Sequence, residues 1–146
     1  MTTSAETKAI SMEFDLPHAT GKVWRALTDP KLLAQWLMAT DLRPVVGNSF
    51  TFKSDPTPWW DGIVRCEVLE LDANKRLRYS WRSGAGASSL DTVVTWTLTP
   101  TSSGGTRLSL EHSGFVPSNA FAFDGAVKGW QRMAGEQLRD VLARAA

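Results

Sequence analysis

Cysteine is almost missing from this chain of 146 residues. Cys66 stands alone, so no internal disulfide can form and the fold must hold by packing. Histidine is nearly as scarce. With His18 and His112 the only two, a zinc site would need carboxylates from scattered positions, and there is no HExxH. The chain is read as carrying no metal and no cofactor. Neither a Walker-type glycine loop nor GxGxxG occurs, which excludes the common nucleotide-cradling devices. No charge sign dominates: 16 basic residues face 15 acidic ones, so neither nucleic acid nor an anionic membrane is an expected partner. No apolar run approaches the ~18 residues of a membrane span. The opening MTTSAETKAISMEF lacks the basic and apolar regions of a secretory signal. A lone thiol fits a reducing compartment, and the expectation is one cytoplasmic domain covering 1–146.

Aromatic residues, by contrast, are plentiful: seven Trp, six Phe and one Tyr. Side chains of this size dominate core energetics, and they also line ligand pockets. Two of them, Trp24 and Trp36, sit in the segment Val23–Trp36, VWRALTDPKLLAQW. That segment reads as two short helices around a corner. Val23, Trp24 and Leu27 make one apolar stripe, and Leu33, Trp36 and Leu37 a second. Between them Asp29 is placed to cap the second helix, and Pro30 suits its first position. A helix pair so short needs a larger body to pack on.

Alternation supplies that body. Ile10, Met12, Phe14 and Leu16 alternate with Ser11, Glu13 and Asp15, giving a strand over Thr7–Leu16. Phe50 and Phe52 follow a turn at Gly47-Asn48, and Val64, Cys66 and Val68 form the inner face of the next strand. Asp72-Ala73-Asn74 is a hairpin turn. Leu77, Tyr79 and Trp81 then oppose Arg76, Arg78 and Arg82, which are read as a solvated outer face. Ser83–Ser89, SGAGASS, is read as a mobile hairpin loop. Val94, Trp96 and Leu98 precede the PTSSGG turn, and Leu108, Leu110 and His112 share the inner face of the last strand. Six or seven strands with short turns predict an antiparallel meander with one buried face.

The C-terminal segment changes period. Val127, Trp130, Ala134, Leu138, Val141, Leu142 and Ala145 follow helical spacing, starting between Asn119 and Asp124. Gly125, Gly129 and Gly135 inside it predict close approach to the sheet or an irregular first turn. The expected fold class is α+β: a curved antiparallel sheet wrapped around a long C-terminal helix, with two short helices after the first strand.

This element order, with Val23-Trp24, Ala26 to Pro30, Leu33 and Trp36, resembles the START-like (SRPBCC) helix-grip superfamily. Within it the chain is similar to the activator-of-heat-shock-ATPase-homologue family of small prokaryotic proteins. PVVGNSF (Pro44–Phe50), VLELDANKRLRYSW (Val68–Trp81), TVVTWTLTP (Thr92–Pro100), TRLSLEHSGF (Thr106–Phe115) and Gly129-Trp130 support the resemblance, which runs from Thr7 to Ala143. Its pattern consists of packing and turn residues and contains no shared catalytic motif. Relatives often carry a second glycine where Asn48 stands; Asn tolerates a left-handed backbone, so the turn is expected to survive.

A cavity is expected between curved sheet and helix. Phe50, Phe52, Tyr79, Trp81, Trp96 and Trp130 are candidate ligand-binding residues, the plain alternative for each being core filling. Of the adjacent pair Trp59-Trp60, at most one can face the core, and Trp60 is added as a candidate at the pocket mouth; Phe121 and Phe123 invite a similar reading. His112 is the one candidate for chemistry. It could orient a bound carbonyl or act as acid or base; the plain alternative is a strand-end histidine, partly in solvent and bonded to a backbone carbonyl. The leading expectation is a protein, more a binder than an enzyme, that accepts a small hydrophobic or aromatic molecule. The resemblance implies two others: a chaperone-interaction module, or an enzyme like the polyketide cyclases and aromatases with His112 or Tyr79 as acid/base. A monomer or weak homodimer is expected.

Overall fold

Side chains that alternate between apolar and polar force a sheet to bury one face, and this chain builds one large sheet from them. A computed structural model describes residues 8–58, 60–84, 90–116 and 120–145, with the backbone alone at 120 and 121. Its strands are β1 (Lys8–Leu16), β2 (Ala39–Thr40), β3 (Ser49–Lys53), β4 (Ile63–Asp72), β5 (Arg76–Ser83), β6 (Leu90–Pro100) and β7 (Thr106–Phe115). They form a seven-stranded sheet in the order β1-β7-β6-β5-β4-β3-β2, every pair antiparallel. The sheet curves around the C-terminal helix, the α+β helix-grip arrangement expected from the sequence. Thr7, placed in the first strand by alternation, lies outside the described residues, as do residues 85–89 of the β5–β6 hairpin.

Two turns show how local chemistry sets the strand ends. Asn74 takes a left-handed backbone (φ 64°), and the Lys75 amide donates to the Asp72 carbonyl at 2.9 Å, closing the β4–β5 hairpin. The turn before β3 works differently from expectation. Gly47, not Asn48, carries the positive φ (87°). Asn48 contributes its side chain instead: its Oδ1 accepts from the Arg43 amide at 2.9 Å, while its carbonyl accepts from the Val68 amide at 2.9 Å. The asparagine side chain thus closes the loop on itself while its backbone ties the loop to β4, and neither bond needs a left-handed conformation.

The clip comprises α1 (Thr20–Thr28) and α2 (Pro30–Trp36). Asp29 Oδ1 accepts from the Lys31 amide at 2.9 Å, with Pro30 at the first helical position. Trp36 fastens the two helices across the corner, its Nε1–H donating to the Ala26 carbonyl at 2.8 Å. Its ring also meets the edge of Trp96 at 5.9 Å. Asp29→Ala is expected to cost about 1 kcal/mol, read as a fall of a few degrees in a thermal melt; an unchanged Tm would show that Pro30 and packing alone set the corner.

The last helix begins as α3 (Ala120–Arg132), widens into a π-helical turn (Met133–Gln137) and ends as α4 (Leu138–Arg144). The irregularity therefore lies mid-helix and not in the first turn. Its physical reason is the spacing of the buried residues. Trp130, Ala134 and Leu138 are all buried and lie four residues apart. On a plain α-helix two such steps drift by roughly 80°; the wider π turn takes up the excess and keeps all three facing the sheet.

Candidate functional site between the sheet and the last helix

Helix α3 presents unusually little side-chain volume to the sheet. Ala122, Gly125, Ala126 and Gly129 recur at i, i+3, i+4 and i+7, so they share one face. A Cβ added at Gly125 would meet nothing within 4 Å. The space they leave is a cavity of about 300 Å³. Its opposite wall comes from the strands: Val64 of β4, Trp81 and Ser83 of β5, Leu90 of β6 and His112 of β7. Trp130 and Met133 close the helix side, and Met38 and Trp60 complete the margin. Among the described residues of this wall none is charged. Larger depressions, of about 550 and 350 Å³, lie elsewhere and carry charged walls, including Glu13, Arg76 and Glu111 in one and Asp41, Arg65 and Glu67 in the other. An apolar concavity with few polar groups is the better ligand site.

His112 is buried, 1% exposed, in the middle of this aromatic wall. The Trp130 Nε1–H donates to its Nδ1 at 3.0 Å, and Thr92 Oγ1 lies 2.7 Å from its Nε2. An indole N–H can only donate, so Nδ1 must be the bare nitrogen and Nε2 the protonated one. Nε2–H then donates to Thr92 Oγ1, whose own proton goes to the Trp81 carbonyl at 3.0 Å. The relay runs from Trp130 through His112 and Thr92 to the backbone of β5 with no orphan group. Burial pushes the imidazole down to about pH 3 for protonation. The picture of a strand-end histidine bonded to a backbone carbonyl is thus overturned: His112 pairs with Val94 across β6 and bonds two side chains. Its two ring nitrogens are both occupied.

The sequence-predicted aromatics divide. Trp60, Trp81, His112 and Trp130 come together around the cavity. Phe50, Phe52, Tyr79 and Trp96 are not on its wall; they form the packed core beside it, all at most 3% exposed. Edge-on contacts bind this core, Phe50 lying 5.5 Å from Phe52 and 5.4 Å from Tyr79. The Tyr79 hydroxyl accepts from the Trp96 Nε1–H at 2.9 Å, and burial raises its proton affinity well above the ordinary phenol range. Burial likewise pushes the Cys66 thiol up, so it carries no reactive thiolate.

Trp60 is half-buried, with its Nε1–H 3.3 Å from the Ile63 carbonyl. Trp59 and the Phe121 side chain lie outside the described residues. Phe123 packs edge-on against Phe115 at 5.1 Å, away from the cavity wall. Arg76, Arg78 and Arg82 are exposed, two of them in surface ion pairs with Glu70 and Asp91. Among the described residues no group of three or more His, Cys, Asp or Glu could hold a metal ion. Nor is any of their helices long and apolar enough to cross a membrane. On the helix side of the cavity, sequence reasoning found Trp130 but missed the rest. The signal was present in the small residues at 122, 125, 126 and 129, where the glycines were read as backbone features and not as missing volume.

The sheet, clip and gripped helix match a known family. The family model for activator of Hsp90 ATPase homolog 1-like protein covers residues 18–143. The chain belongs to that family. A solved structure of a Mesorhizobium loti protein shares 40% identity with it, covering 95% of this chain and 99% of that one, at a TM-score of 0.86. A protein in the dynemicin biosynthetic locus is 25% identical over 93% of this chain and 47% of its own length, with a TM-score of 0.75. The Aha1 dimer from Colwellia psychrerythraea, 20% identical with coverage of 92% and 96%, shares the fold at a TM-score of 0.75. Comparison with curated proteins gives no match.

Proposed function

We propose that this family member binds a small, uncharged hydrophobic or aromatic molecule between α3 and the sheet. The observation that carries the reading is the stripe Ala122, Gly125, Ala126 and Gly129, which opens a cavity against Trp81 and Trp130 with no charged residue among its described lining. Burial of apolar area would drive binding, at roughly 25 cal/mol per Å². A likeness to a protein in a biosynthetic locus agrees with a small-molecule role. Acid/base catalysis is less well supported. Both nitrogens of His112 are engaged by Trp130 and Thr92, and Tyr79 is not on the cavity wall.

Titration with fluorene, followed by tryptophan fluorescence, is expected to give a saturable change. Ala126→Leu should weaken that binding at least about tenfold, because its added carbons occupy the cavity, while the melting temperature holds or rises by the usual gain of cavity filling. Absence of saturable binding, or equal affinity in the variant, would refute the reading. The family description names a chaperone ATPase, and stimulation of such an ATPase without any cavity ligand would favour a chaperone-interaction role instead.

A further inference from the structure

On the cavity wall the indole N–H of Trp81 has no acceptor among the described residues. Trp36, Trp60, Trp96 and Trp130 each donate the indole N–H to a protein acceptor. Trp81 does not: its side chain donates to no group among the described residues, although the residue is only 7% exposed. Fully buried side-chain nitrogens and oxygens among those residues all have partners. The Trp81 N–H is therefore not sealed in protein; it reaches accessible space, and the accessible space that Trp81 borders is the cavity. Four rings fix its position, Phe52 at 5.6 Å, Tyr79 at 6.5 Å, His112 at 5.5 Å and Trp130 at 5.4 Å between centroids. An indole nitrogen can only donate.

From this we infer that the cavity selects a neutral ligand whose apolar body carries a hydrogen-bond acceptor, a carbonyl or ether oxygen or a ring nitrogen, seated on the Trp81 N–H. Several features agree on that chemistry. Among the described residues no charged side chain borders the cavity to balance an anion or cation. His112, the obvious polar contact, has both nitrogens committed. Ser83 stands on the same wall and strand, two residues from Trp81, and its hydroxyl has no bonded side-chain or backbone partner among the described residues. A ligand lacking an acceptor would leave the Trp81 N–H dry and unpaired, which a well-matched ligand avoids. The inference rests on the cavity being the binding site.

Fluorene and 9-fluorenone test it, since they share one tricyclic skeleton and differ by a carbonyl in place of a methylene. The wild-type protein is expected to prefer fluorenone to fluorene, and Trp81→Phe, which keeps a ring but loses the N–H, should reduce that preference by about fivefold or more. In ¹⁵N-correlated NMR spectra the Trp81 indole resonance should move on addition of fluorenone far more than on addition of fluorene. That second readout uses wild-type protein and decides the matter even where Trp81→Phe folds poorly. If both compounds bind, the preference is the same in Trp81→Phe and the indole resonance responds alike to both, the acceptor inference fails while the cavity stands. If neither binds the wild type, the cavity reading itself fails.

Discussion

Trp130→Ala should lower the unfolding free energy by about 3–5 kcal/mol, the range for truncating a large buried aromatic, and the melting temperature by roughly 10–20 °C. Trp130 is 1% exposed, with its ring 5.5 Å from Trp96 and 5.4 Å from Trp81, so its removal empties the junction between helix and sheet. It also strips the buried His112 Nδ1 of its donor. Trp130→Phe separates these two effects. It keeps most of the ring contacts and should cost about 1–3 kcal/mol, the penalty of leaving one buried polar atom unpaired. Urea denaturation of both variants measures the difference. A cost below about 1 kcal/mol for the alanine variant would mean that the relay does not hold the last helix on the sheet.

Mild acid should weaken the protein well before its carboxylates titrate. In the unfolded chain His112 takes up a proton as pH falls through 6.5; in the folded chain it stays neutral down to about 3. Its contribution is complete above the unfolded value and shrinks as pH falls towards the folded one. Between pH 7.5 and 5 the expected loss is about 2 kcal/mol, approaching 1.4 kcal/mol for each further unit. His18 is shifted in the same direction by burial and by Lys22, so the measurement belongs in a His18→Gln background. Asp41, held below its ordinary 3.8 by the Thr51 amide, enters only at lower pH. Denaturant midpoints across this range should flatten in His112→Gln. An equal slope with and without His112 would show that the imidazole is charged in the folded state.

The individual strands, the short antiparallel turns and the clip were legible because each depends on residues close in sequence; the pairing of β1 with β7 was not, since it joins the first strand to the last. Alternation marks an inner face, and Thr28-Asp29-Pro30 marks a corner. Strand β2 was not legible, since two residues carry no period. Depth and pairing were not legible either. Alternation assigns His112 to the inner face but cannot tell mid-sheet from margin, and its partners Thr92 and Trp130 lie 20 and 18 residues away on other elements. The same limit separates Trp81 from Tyr79. Both point inward from β5, yet only Trp81 reaches the cavity, because what decides is the missing volume on α3 opposite it. The π turn left no trace of its own, because the four-residue steps from Trp130 to Leu138 also read as ordinary helical spacing.

The order of strands also governs how copies of the chain meet one another. The open sheet has β1 at one rim and β2 at the other, which leaves two open rows of backbone groups, each a template on which a foreign strand can grow. At one rim β2 offers only Ala39 and Thr40, too short to seed a ladder. At the other, β1 alternates its inner apolar residues with exposed Ser11, Glu13 and Asp15, and Arg139 donates to the Asp15 carbonyl at 3.2 Å. Brevity guards one side and charge the other. Growth into fibres by sheet extension is disfavoured at both rims, so any pairing of two copies must be sought on the faces and loops.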